Sequence, residues 1–130
     1  MGKRKSKHSK EIQQMVHRIV ERFGPEKIIL FGSHARGDAG PDSDVDLLVV
    51  MPVTGSKRDK MVEIGVALHD IPLPKDIIVT TPEDFEWRKE IVGTIERSAV
   101  QEGKVLYART EYGAIHAPRS RVRAHSPSAA

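Results

Sequence analysis

Two short apolar runs separated by a glycine-rich gap constrain this chain more than any other feature. Lys27 to Phe31 carries Ile-Ile-Leu-Phe and stops at Gly32, and Asp44 to Met51 is nearly continuous in Val and Leu after an acidic start. Both runs are too short and too branched to be buried helices, so they read as buried strands. Between them, Gly32 to Ser43 holds three glycines and one proline, which predicts a loop with room for one helical turn at Ser33 to Arg36. A strand that empties into a glycine turn and returns as another strand requires a sheet, and the flanking segments supply its cover.

The first cover element is the clearest. Ile12, Met15, Val16, Ile19, Val20 and Phe23 recur at helical spacing and form one apolar stripe, ended by Gly24-Pro25 and with Ser9 as the expected cap. Lys57 to His69 places Met61, Ile64, Gly65 and Leu68 on one face, and Pro72 and Pro74 bar its extension. Asp76 opens a third strand, Ile77-Ile78-Val79. Thr81-Pro82-Glu83-Asp84 reads as a cap, a first-turn proline and acids where the helix dipole favours them. It predicts a helix from Pro82 to about Gln101, with Gly93 as a candidate break and Gly103 closing it. Val105 to Tyr107 completes the pattern as a last strand. The expectation is an α/β fold: a single small domain with a mixed sheet of about four strands flanked by helices.

Length agrees, since 130 residues fall in the range of one domain, roughly 100 to 200 residues; a second lobe for an acceptor is not expected. No cysteine is present, which excludes thiol catalysis, a disulfide scaffold and thiolate zinc sites. No apolar run approaches the roughly 20 residues of a membrane span and no signal-peptide pattern opens the chain, so a cytoplasmic location is expected.

The net charge of +3 conceals a division. Residues 1–10 carry five bases and no acid, and residues 108–130 carry four bases and one acid; residues 11–107 carry twelve bases against seventeen acids. The expected organisation is a basic disordered arm at 1–10, an acidic domain at 11–107 and a flexible basic tail at 108–130. Such tails offer weak, salt-sensitive contact with nucleic acid. Within the last segment, Arg119 and His125 have a spacing used by some ribonucleases, which reads as coincidence outside a helix.

Chemistry concentrates at strand starts. Alternation along a strand sends Asp44 and Asp46 to one face and Val45 to the other, and Asp76 joins them if its strand lies alongside. Converging carboxylates repel unless a cation neutralises them, and hard divalent cations such as magnesium favour carboxylate oxygens. Gly32-Ser33, at the head of a short helical turn, offers backbone amides and a hydroxyl to a phosphate. A phosphate cradle followed by a carboxylate metal site is the minimum apparatus of nucleotide chemistry. Arg36 is placed either to neutralise phosphate or to face solvent. His34 reads as a variable position of the loop rather than a catalytic one, and Trp87 as packing or partner surface.

Phe31-Gly32-Ser33-His34-Ala35-Arg36-Gly37 followed by Ser43-Asp44-Val45-Asp46-Leu47-Leu48-Val49 resembles the Gly-Ser, ten residues, Asp-x-Asp pattern of the DNA polymerase beta-like nucleotidyltransferases, above all their minimal members. Asp76 to Phe85 resembles the segment bearing the third carboxylate, and Gly103 to Tyr107 the closing strand. The resemblance spans roughly residues 11–107. It implies that Gly32 and Ser33 hold the phosphates of a nucleoside triphosphate, with Arg36 beside them. Asp44 and Asp46 would bind two magnesium ions, and Asp76 would ligate the second ion and serve as base. Minimal members pair with a helical HEPN-domain protein, so the resemblance further implies an antitoxin that transfers AMP from ATP to a tyrosine of a HEPN toxin. Two alternatives stand beside it: an inactive module that neutralises its partner by binding alone, and nucleotidyl transfer to a small molecule or nucleic acid with a partner supplying the acceptor site.

Overall fold

The computed structural model describes residues 8–110 and 113–115. In chain order these form α1 (Ser9–Phe23), β1 (Lys27–Phe31), α2 (Ser33–Arg36), β2 (Val45–Val50), α3 (Lys57–Ala67), β3 (Lys75–Thr80), α4 (Pro82–Arg88), α5 (Ile95–Glu102), β4 (Lys104–Thr110) and β5 (Gly113–Ile115). The strands make one mixed sheet in the order β3-β2-β1-β4-β5. β1 runs antiparallel to both β2 and β4, whereas β2 and β3 are parallel, joined by the α3 crossover.

The apolar pattern explains both faces. Alternate residues of the strands, Ile28 and Leu30, Val45, Leu47 and Val49, Ile77 and Val79, share the larger core with Ile12, Met15, Val16 and Ile19 of α1 and Ile64 of α3. The residues between them, Ile29, Leu48 and Val50, pack with Phe85 of α4 and Ala99 of α5 on the other face. α1 ends where Gly24 adopts a left-handed φ of 56° and returns its N–H to the Val20 carbonyl at 3.1 Å, the usual glycine stop. Its start differs from expectation: Ser9 is the first helical residue, and His8 precedes it without a side-chain cap.

Two further differences concern the C-terminal half. The helix expected from Pro82 to about Gln101 is two helices. Gly93, at φ 96°, leaves the helical region, and Thr94 caps a new start by accepting the Arg97 N–H at 3.1 Å. Thr81 caps α4 as expected, accepting the Asp84 N–H at 3.1 Å. Trp87 is 55% exposed, so it is a surface residue and not a packing one. The sheet also continues beyond Tyr107: Ala108 pairs with Lys27, Arg109 N–H donates to the Glu26 carbonyl at 2.8 Å, and the Arg109 guanidinium reaches the Gly24 carbonyl at 3.2 Å. Main-chain pairing extends this edge, and a reading of side-chain composition does not register it. Of the expected arm and tail, residues 1–7, 111–112 and 116–130, Arg119 and His125 included, lie outside the described residues. Among the described residues no helix is long and apolar enough to cross a membrane.

Candidate active site

Strand direction gathers the predicted site residues at one end of the sheet. Because β1 and β2 are antiparallel, the exit of β1 lies beside the entry of β2, with Phe31 opposite Asp46. Because β2 and β3 are parallel, the entry of β3 lies at the same end, with Asp46 opposite Asp76. Val45, Leu47, Ile77 and Val79 all enter the larger core, so the pleat turns Asp46 and Asp76 to the opposite face together. Asp44 precedes β2 by one residue and Asp46 by two, on the same side. Asp44 and Asp76 are exposed and Asp46 is half-buried.

Burial pushes the Asp46 carboxyl above the usual carboxylate range, and the negative charges of Asp76 and Asp44 push it further; His34 and Arg36 oppose the rise. The three acids therefore share one electrostatic field.

Gly32 lies against this carboxylate. Its backbone takes φ 78° and ψ −158°, a region essentially confined to glycine. A Cβ there would overlap Oδ2 of Asp46 and sit 3.2 Å from its Cγ. The turn that follows is tight. The Gly32 carbonyl accepts from the N–H groups of Ala35 and Arg36 at 3.0 Å each, and the Ser33 carbonyl from Gly37 and Asp38 at 2.9 and 3.1 Å. The amides of Ser33 and His34 head this turn, where no preceding turn supplies a carbonyl. The Gly32 backbone thus borders the Asp46 carboxylate, with the Ser33 and His34 amides next along the chain.

Arg36 is exposed to solvent and ion-paired. It donates to Glu102 at 3.1 Å and to Asp38 at 3.3 Å, and the Glu102 hydrogen bond, with that of Asp38, raises its pKa further. The guanidinium so joins α2 to the end of α5. His34, which reads from the sequence as a variable loop position, is buried. It is 8% exposed, and its Nε2 donates to the Ser43 carbonyl at 3.2 Å. No periodicity marks a contact nine residues apart inside an irregular loop.

Among the described residues no group of three His, Asp or Glu side chains is gathered closely enough to hold a metal ion by itself. Asp44, Asp46 and Asp76 nevertheless suit magnesium. They offer only hard oxygen donors whose mutual repulsion a divalent cation would relieve, and magnesium is commonly held by one or two carboxylates together with substrate phosphates. Their open arrangement leaves the remaining positions to a ligand.

Comparison with known proteins agrees with this geometry. The model of the family described as nucleotidyltransferase domain matches residues 10–105. A protein of Methanocaldococcus jannaschii provisionally named as a protein adenylyltransferase, MJ0604, is 31% identical over 102 residues, which is 75% of this chain and 96% of that one. The crystal structure of a provisionally named nucleotidyltransferase from Sulfolobus solfataricus superposes with a TM-score of 0.57 at 25% identity, covering 88% of this chain and 97% of the other. A toxin-antitoxin structure, MntA-HpeT, shares the fold at a TM-score of 0.50 and 17% identity, covering 77% of this chain and 74% of that one.

Proposed function

The chain belongs to the nucleotidyltransferase domain family and is a nucleotidyltransferase, and we propose that it is a magnesium-dependent protein adenylyltransferase that silences a toxin partner. The donor in this reading is ATP. The acceptor is a hydroxyl, a tyrosine of a helical HEPN-domain protein, and the complex works in the cytoplasm as an antitoxin with its toxin. The observation that carries the reading is the β2-β3 register, which sets Asp46 beside Asp76 at the sheet end where Gly32 passes.

Each residue has a task that its surroundings suit. The amides of Ser33 and His34, with the Ser33 hydroxyl, bind the terminal phosphates, and the absence of a side chain at Gly32 lets them approach the carboxylates. Asp44 and Asp46 would hold two magnesium ions. Asp76 would share the second and, being exposed, takes the proton of the arriving hydroxyl. When bound, magnesium neutralises the triphosphate and lowers the pKa of the acceptor hydroxyl. The acceptor oxygen forms a bond to the α-phosphorus as the bond to the pyrophosphate oxygen breaks, and pyrophosphate leaves. Arg36, exposed at the rim and paired with Glu102 and Asp38, would help neutralise phosphate charge.

A protein as acceptor is supported by the name of the Methanocaldococcus relative, and its tyrosine and the toxin partner by the family resemblance, with the fold shared with the toxin-antitoxin structure beside it. The test is incubation of this protein and a helical HEPN-domain protein from the same genome with α-labelled ATP and magnesium. Label is expected on a partner tyrosine, and Asp44→Asn should reduce the rate by at least about a hundredfold, the scale for loss of one preorganised charge-stabilising group. An unlabelled partner, or equal labelling by the variant, refutes the reading.

A further inference from the structure

We propose that His34 is a positioning residue for nucleotidyl transfer, clamping the phosphate turn to the segment that delivers Asp44; the proposal rests on the site reading above. His34 follows Ser33 in the chain, and Ser43 precedes Asp44. The 3.2 Å hydrogen bond from His34 Nε2 to the Ser43 carbonyl therefore links the two halves of the site one residue away from each. Residues 37–44 lie outside every helix and strand, so regular backbone pairing does not fix this span.

Its local bonds show how it is held. Ser43 accepts the Gly40 N–H on its hydroxyl at 2.8 Å and donates its own N–H to the Gly40 carbonyl at 3.2 Å, closing a small turn. Val45 N–H donates to the Pro74 carbonyl at 2.9 Å, which fixes the far side of Asp44 to the approach of β3. His34 supplies the opposite anchor. Its ring is buried, and a buried ring N–H needs an acceptor, so the clamp is set by the fold rather than by solvent. The ring of His8, before α1, stands 6.1 Å from that of His34.

The distance between a bound phosphate and the carboxylates matters most in the transition state, where a displacement of about 1 Å costs on the order of a hundredfold. Loss of the clamp should therefore lower kcat and spare nucleotide binding, because the Ser33 and His34 amides remain. His34→Phe keeps a ring of similar size without the donor. His34→Gln places an amide N–H close to the position of Nε2.

The experiment compares kcat and the KM for ATP of both variants with wild type, together with amide hydrogen exchange at residues 40–45. The expected result for His34→Phe is a kcat loss of about ten- to a hundredfold, KM within about threefold, and faster exchange over residues 40–45. For His34→Gln, kcat should return to within about threefold of wild type, with exchange restored. An active wild type alongside an unaffected His34→Phe, or a glutamine variant no better than the phenylalanine one, would overturn the role. Unchanged exchange in both variants would overturn the clamp itself even if melting temperatures fell. A wild type that transfers nothing to any acceptor would overturn the site reading as well.

Discussion

Gly32 satisfies two demands that no other residue meets: a backbone angle reserved for glycine and a carboxylate in the space of a side chain. Gly32→Ala should cost about 1–3 kcal/mol of stability from the backbone alone, read as a lower urea midpoint. It should also displace Asp46 and reduce transfer at least tenfold, so an unchanged midpoint and rate would contradict the close approach. At this scale the gathering of these residues at one sheet end was largely legible. Gly-Ser and Asp-x-Asp are polar residues placed against otherwise apolar strands, and such breaks in pattern stand out. The contacts of Arg36 and His34 were not legible, because each partner, Glu102 for one and Ser43 for the other, lies outside any periodic pattern shared with it.

Between elements, the junction of β3, α4 and α5 turns on Glu96. This side chain is 5% exposed, accepts from the Thr80 hydroxyl at 2.7 Å and from Arg88 Nε at 3.2 Å. Thr80 is fully buried, whereas the Arg88 side chain is 41% exposed and can return to water. Glu96→Ala strands the Thr80 hydroxyl and should destabilise the fold by about 1–3 kcal/mol. Glu96→Gln keeps an acceptor for Thr80 and should cost less, so equal losses in melting temperature would show that Thr80 does not depend on this bond. The helix stripe of α1 and the three buried strands could be read from periodicity because each repeats one rule over several turns or pleats. The division of α4 from α5 was only a candidate break, since a lone Gly93 marks where a helix can stop without saying that it does. β5 and the end of β4 were hidden because edge pairing is backbone chemistry.

Across the whole molecule, the site is assembled at a cost to the fold. Asp46 has a folded pKa above its ordinary value, so the folded state binds its proton more tightly than the unfolded chain. The penalty is absent below the unfolded pKa, grows as pH rises through the folded pKa, and is fully present at neutral pH. Asp46→Asn removes it. In metal-free buffer the variant should melt higher than wild type at pH 7 while losing transfer, and its advantage should shrink as pH falls into the carboxylate range. A variant that melts lower at pH 7, or an advantage that widens in acid, would refute the assignment. The parallel register of β2 and β3 has one more consequence. Backbone ladders, not the crossover, align Asp46 with Asp76, so the spacing of the chemistry is decoupled from the spacing of the sequence. The length of residues 51–74 does not by itself set how the two acids face each other. A slip of β3 by a single position would carry Asp76 through the sheet to its far face.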